Sequence, residues 1–254
     1  MTVGAVRRVL GGLFLCVFGG SACSQSGGVG VPVSVVSRVP AVDVSARPWS
    51  PEIVRASAIL SDVRTYYSQV NTWQATVVSE VYGPAVGAKD WTRSRVSFRR
   101  PGTIAAQVLE ARDAKFVNTR LVYSGGDTLR LRTYFFGWIP LTLDFPVVDP
   151  RLLDAYKRSF KDTQTRQWFD VMLHPQVQAA WLGEGMSGSV VVDYLEVRSP
   201  ASWSGVGREV FGIARHSHLP VVRDVYDARQ RRMLHVELQG MRINPALDSQ
   251  VFVL

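Results

Sequence analysis

The side chains in this chain that could do chemistry are few, and their spacing does not favour catalysis. Ser187 lies in Gly185-Met186-Ser187-Gly188-Ser189, which lacks the final glycine of a nucleophile elbow. His216 and His218 would point to one side of a predicted strand and could form a metal pair, although two polar residues near a strand edge are the commoner case. A glycine-rich phosphate loop is absent from the sequence. We therefore expect a protein that is not an enzyme and that holds no metal and no cofactor.

Cys23 offers a different kind of chemistry, because a thiol at its position can be acylated. It follows two arginines at positions 7 and 8, an apolar run over residues 9–20, and the small residues Ser21 and Ala22. The run is shorter than the roughly 20 residues that a transmembrane helix needs, so the pattern predicts a secretory signal. It resembles the lipobox of bacterial lipoproteins, although Gly20 stands where an aliphatic residue is usual. The alternative is an ordinary signal peptide cut after Ala22, with Cys23 left as a free thiol.

Lipidation of Cys23 would define both the compartment and the domain boundaries. We expect a lipoprotein signal peptide over residues 1–22, a flexible tether over residues 23–49 and one domain over residues 50–254. Several acyl chains on one cysteine would form a permanent membrane anchor in the cell envelope. Ser24 stands where an Asp would retain a lipoprotein in the inner membrane, so the outer membrane is favoured. The other cysteine, Cys16, would be lost with the leader, which leaves no disulfide in the folded part.

The charge of the chain is basic, with a formal net charge of +8, of which Arg7 and Arg8 in the leader contribute two. A basic surface can indicate nucleic acid, but an exported and tethered protein meets anionic lipid headgroups instead. We expect no nucleic-acid partner. A soluble basic surface with no partner is an equally open interpretation.

Local patterns predict one α+β domain after a tether rich in Gly, Ser, Val and Pro. Ser50 and Pro51 suit the start of a helix, and apolar residues then recur at helical spacing up to Val70. Alternating strand patterns bounded by turns follow. Strands are predicted near residues 73–82, 95–99, 104–110, 119–124, 129–132, 189–197, 209–215, 219–226 and 233–238. Between the two groups we expect an aromatic loop over 134–140 and three short helices, starting at Asp149 and covering 163–173 and 175–182.

Four segments resemble the turns and closing segment of outer-membrane lipoprotein-sorting domains, the LolA and LolB family. They are Phe98-Arg99-Arg100-Pro101-Gly102, Tyr123-Ser124-Gly125-Gly126, the stretch from His218 to Asp227, and the stretch from Arg242 to Phe252. The resemblance implies an incomplete antiparallel β-barrel, a curved half-barrel sheet whose concave face is covered by the N-terminal helix and a helical insertion. It also implies an apolar cavity that binds a lipid or an acyl chain.

The strand alternation selects the residues that would line such a cavity. The expected lining residues are Val96, Phe98, Ile104, Leu129, Leu131, Val190, Val192 and Phe211. Phe135, Phe136 and Trp138 could form an entrance or membrane-contact loop, and the favoured alternative is that this cluster is a strand edge that folds into the core. An open apolar cavity of several hundred Å³ would favour a lipid ligand. An interior filled by Trp and Phe side chains would favour an interaction or structural protein of the envelope with a protein partner.

Overall fold

A computed structural model of the chain describes residues 50–83, 89–135, 138–152, 156, 158–160 and 164–254. The leader, Cys23 and the tether lie outside these ranges, so the expectations for them remain predictions. Within the described part of the chain, no helix is both long enough and apolar enough to span a membrane.

The domain begins with helix α1, Pro51–Gln69, as the sequence predicts. Ser50 caps it, because its hydroxyl accepts a hydrogen bond from the Ile53 N–H at 3.4 Å. The buried residues of the helix are Ala56, Leu60 and Val63, which recur at three- and four-residue steps. These residues form one apolar face, and that face packs against the sheet.

Eleven strands form a single antiparallel sheet in the order β6-β5-β4-β3-β2-β1-β11-β10-β9-β8-β7. The strands are β1 Thr72–Tyr82, β2 Lys89–Arg99, β3 Thr103–Ala111, β4 Arg120–Tyr123, β5 Thr128–Phe135, β6 Ile139–Pro146, β7 Gln178–Ser187, β8 Val190–Arg198, β9 Val206–Ala214, β10 Leu219–Asp227 and β11 Arg232–Ile243. Two meanders, β1–β6 and β7–β11, meet where β1 pairs with β11. The sheet stays open between β6 and β7, which confirms the predicted curved half-barrel of α+β class.

The connection from β6 to β7 runs from one edge of the sheet to the other. It contains a 3₁₀ turn at Pro150–Leu152 and the short helix α2, Thr165–Met172. Helix α2 agrees with the second predicted helix. We call the face of the sheet that α1 and α2 cover the concave face. A small separate cluster of Ala105, Val122 and Phe252 lies under the C-terminal segment.

Two segments that the sequence assigns to loop and helix are strands. The described part of this segment is the end of β5 and the start of β6, so the prediction of a loop over 134–140 was wrong. The sequence did not indicate strand β6 because prolines, which disfavour strands, stand near both of its ends, at Pro140 and Pro146. Prolines are tolerated there because β6 is an edge strand with pairing on one side only.

The third predicted helix, over 175–182, is also wrong, because this segment enters strand β7. Pairing with β8 decides the conformation, and a register shift between Trp181 and Gly183 accommodates Gly183 at a φ of 127°. The Trp181 indole N–H donates to the Asp193 carboxylate at 2.9 Å. Arg55 of α1 bonds the same carboxylate at 3.2 Å, which ties the helix to this end of the sheet.

Candidate functional site

One cavity on the concave face lies over the centre of the sheet. Strand pairing places Val77 opposite Leu238 and Ser79 opposite Val236, so these side chains share one face. They form the floor of a cavity of about 40 Å³. Its lining residues are Trp73, Val77, Ser79, Val96, Ile104, Gln164, Thr165, Trp168, Leu234, Val236 and Leu238. Most of the side chains that the sheet contributes are of small or medium size.

Helix α2 forms the roof of this cavity and separates it from a second one. The second cavity measures about 10 Å³ and is lined by Tyr67, Val70, Trp73, Thr165, Trp168, Phe169, Leu219, Pro220, Leu238 and Met241. Trp168 is 2% exposed and contributes to the walls of both cavities. Trp73, Thr165 and Leu238 also line both cavities, and Trp168 is the large side chain that α2 places between them.

Two buried aromatic residues of α2, Trp168 and Phe169, pack over the concave face. The Trp168 ring lies edge-on to Phe211 at a centroid distance of 6.2 Å, and Phe169 stacks on Tyr67 at 3.5 Å. Burial raises the pKa of the Tyr67 hydroxyl, which keeps this ring neutral. Ligand pockets commonly measure about 300–1,000 Å³, so neither cavity holds an acyl chain while α2 occupies this position.

Beside the larger cavity, the concave face carries a buried ion pair. Arg223 lies opposite Val236 of the cavity floor on one side and opposite Phe211 on the other. Its Nε donates to the Glu209 carboxylate at 2.6 Å, and neither side chain is exposed to solvent. Ser202 donates to the other oxygen of this carboxylate at 2.7 Å.

Aromatic rings surround the Arg223 guanidinium. Its central carbon lies 4.4 Å from the Trp203 ring centroid, 5.5 Å from that of Phe211 and 5.9 Å from that of Trp168. Such contacts attract a cation to the ring faces. The guanidinium is only partly hydrogen-bonded, because Nη1 and Nη2 of Arg223 have no hydrogen-bond partner within the described ranges. Arg158 also lies over the Trp203 ring, at 3.8 Å.

Sequence reasoning missed Arg223, although its neighbours at two-residue spacing contain a partial signal. Val221, Arg223 and Val225 lie on one face of β10 and Val222 and Asp224 on the other, and all five are buried. A charged residue flanked at two-residue spacing by valines is predicted to face the core with them.

The expected lining residues fall into two groups. Val96 and Ile104 line the larger cavity. The others lie outside the lining of the two cavities; Phe98, Leu129, Leu131, Val192 and Phe211 are buried in the core, and Val190 is half-buried against it. Alternation along β8 places Val190 and Val192 on the face opposite to Leu195, which pairs with Phe211 of the concave face.

No known protein family and no curated protein matches the sequence. Solved structures do resemble the fold. MucB of Pseudomonas aeruginosa is 14% identical with a TM-score of 0.48, and the match covers 79% of this chain and 63% of that chain. Lipoprotein LppX of Mycobacterium tuberculosis is 12% identical with a TM-score of 0.44, covering 75% and 98% of the two chains.

A third match is a putative outer membrane lipoprotein-sorting protein domain from Vibrio parahaemolyticus, 11% identical, with a TM-score of 0.40 and coverage of 78% and 97%. A lipoprotein-sorting domain is thus among the similar structures. Identities of 11–14% with TM-scores below 0.5 carry no information about a ligand or a partner.

The predicted entrance loop lies at the tip of the β5–β6 hairpin. Trp138 is 75% exposed, and Tyr134 and Ile139 beside it are partly exposed. The expectation that this cluster folds into the core is therefore wrong for Trp138. Phe135 ends β5, while Phe136 and the side chain of Phe135 lie outside the described residues. A role for these residues at an entrance or a membrane remains a prediction.

The predicted histidine pair does not lie on a strand. His216 and His218 belong to the turn between β9 and β10, and His218 has a φ of 53°. The His218 ring stacks on Tyr66 at 4.3 Å, which fixes the turn to α1. Across the described residues, no group of three or more His, Cys, Asp or Glu side chains could hold a metal ion.

Proposed function

We propose that the protein is a membrane-anchored envelope lipoprotein that binds one acyl chain between the concave face and α2, without catalysing a reaction. The different side chains that the sheet and the helix contribute to the cavity support this proposal. The sheet supplies an apolar floor with side chains such as Val77, Val96 and Ile104, whereas Trp168 on the short α2 supplies the bulk above it. An acyl chain that displaced Trp168 would meet an apolar surface, and each buried methylene contributes about 0.8 kcal/mol.

A second candidate is an envelope interaction protein with a filled core and a protein partner. The small size of the two cavities, about 40 and 10 Å³, favours it. In that case Trp168 is a permanent core residue, and ligand binding does not compete with it. The two candidates differ in whether α2 can be displaced without unfolding the sheet.

Native mass spectrometry of the purified protein with dodecanol tests acyl-chain binding. We expect one bound dodecanol per chain in the wild type and a loss of binding in Val77→Phe, because the larger ring fills the cavity above the floor. Val78→Phe is the matched control, since the adjacent residue points to the opposite face. Absence of a bound dodecanol in the wild type, or equal binding by both variants, would support the filled-core candidate.

The anchor is a separate part of the proposal and has its own test. Cells that express the protein are labelled with a fatty-acid analogue, and the label on wild type is compared with that on Cys23→Ala. We expect the variant to lose essentially all label, because the acylated thiol is gone. Equal labelling of both proteins would contradict lipidation at Cys23 and leave the ordinary signal peptide as the explanation.

A further inference from the structure

Arg223 is buried, charged and incompletely satisfied at the side of the proposed acyl-chain site. One of its three nitrogens bonds Glu209, and the other two have no hydrogen-bond partner among the described residues. Guanidinium nitrogens present five N–H donors in a planar fork. A buried donor that lacks a partner is costly, so four N–H groups without one point to a ligand that offers acceptor atoms.

The position of the guanidinium connects it to the cavity. The cross-strand neighbour of Arg223 is Val236, which lines the larger cavity. The Trp168 ring lies 5.9 Å from the guanidinium carbon and forms a wall of the same cavity. Displacement of Trp168 would therefore extend the apolar space to the fork of Arg223.

Other buried donors occur at the same cavity. The side-chain nitrogen of Gln164, in its lining, has no hydrogen-bond partner within the described residues. The hydroxyl of Ser94, also buried without a partner in those ranges, lies opposite Val77 of the floor. A ligand that satisfies such groups must offer acceptor atoms, and carboxylate or phosphate oxygens are the strongest acceptors for a guanidinium fork.

We propose that Arg223 binds the anionic head group of a single-chain amphiphile whose acyl chain occupies the cavity beneath α2. This inference rests on the proposed function and adds the class of ligand. Nη1 and Nη2 donate to the head-group oxygens, while Glu209 holds Nε and thereby fixes the orientation of the fork. Trp203 covers the guanidinium at 4.4 Å and keeps water from the opposite side.

The test compares dodecanoate with dodecanol, which share an alkyl chain and differ in charge. Isothermal titration of the purified protein at pH 8 measures both affinities, and acetate serves as the free anion. We expect dodecanoate to bind about tenfold or more tightly than dodecanol, the effect of a charge-assisted hydrogen-bonded pair. Acetate alone should bind far more weakly, because it lacks the chain that fills the cavity.

The variant Arg223→Met/Glu209→Gln removes the ion pair as a unit and avoids leaving one buried charge. We expect it to bind the two amphiphiles with similar affinity. Arg130→Met/Asp144→Asn is the matched control, because it removes an exposed ion pair on β5 and β6 and should keep the preference for dodecanoate.

The outcomes separate the two levels of the proposal. Equal wild-type affinities for both amphiphiles, or a preference that survives in Arg223→Met/Glu209→Gln, would overturn the assignment of Arg223 and leave acyl-chain binding standing. Binding of acetate as tight as that of dodecanoate would show a free-anion site instead. Binding of neither amphiphile would overturn the acyl-chain proposal itself. If the double variant fails to fold, the wild-type comparison still distinguishes a charge-dependent acyl-chain site from a charge-independent one, from a free-anion site and from no binding.

Discussion

Trp168→Ala is expected to destabilise the protein and at the same time to strengthen its binding of an acyl chain. The indole is 2% exposed and fills the space between the two cavities. Truncation of a buried Trp costs about 3–5 kcal/mol of unfolding free energy, because contacts are lost and a cavity remains. The same cavity is the space that an acyl chain would otherwise have to open by displacing the ring.

Urea unfolding with and without dodecanol separates these two effects. Dodecanol is the suitable probe because its binding does not depend on a charged head group. A ligand at one hundred times its dissociation constant stabilises a folded protein by about 2.7 kcal/mol. We therefore expect dodecanol to restore a large part of the stability that Trp168→Ala loses, and to stabilise the wild type less at equal concentration.

The control is Trp138→Ala, which truncates the same side chain where it is 75% exposed. A surface substitution of this kind changes stability by about 0.5 kcal/mol or less. If Trp168→Ala is destabilised and dodecanol restores none of the lost unfolding free energy, the proposal that an acyl chain displaces Trp168 would be contradicted. The tryptophan would then be an ordinary core residue, and the filled-core candidate would stand.

Local sequence signals determine most of the fold, and the two errors have a common cause. The helix start at Ser50 and Pro51 and the valine-rich run of β10 can be recognised within a short window. Strands β6 and β7 are different, because each lies at an edge of the sheet and has one partner. Their conformation depends on pairing with β5 and β8. The prolines of β6, taken alone, indicate that the segment is not a strand.

The candidate site was only partly predictable for a similar reason. Val96 and Ile104 follow from alternation in strands whose neighbours are adjacent in sequence. The approach of Trp168 to Val77 depends on how residues 147–177 cross from one edge of the sheet to the other. The closeness of Arg223 to the cavity depends on the pairing of β11 with β1, which joins the two halves of the chain. Neither of these two proximities can be recognised from a pattern within a short stretch of sequence.

Separate removal of each member of the Arg223–Glu209 pair is expected to cost far more than removal of both. Both side chains are fully buried, with 2.6 Å between Nε and the carboxylate. Glu209→Gln leaves a buried guanidinium without a counter-charge, and Arg223→Met leaves a buried carboxylate. Breaking a buried pair in this way costs about 3–5 kcal/mol, whereas replacing the whole pair is often nearly neutral. Urea unfolding of the two single variants and Arg223→Met/Glu209→Gln measures the three losses.

The exposed pair of Arg130 and Asp144 is the reference, for which the same two single variants and the double variant are measured. Its side chains are 59% and 51% exposed, and exposed pairs contribute about 0–1 kcal/mol. Additive losses at Arg223 and Glu209 would mean that the two charges do not compensate each other, in conflict with their geometry. A double variant that is as stable as the wild type would have a further meaning. An ion pair that the fold does not need for stability, with two nitrogens of Arg223 unbonded in the described structure, would support the proposed role in ligand binding.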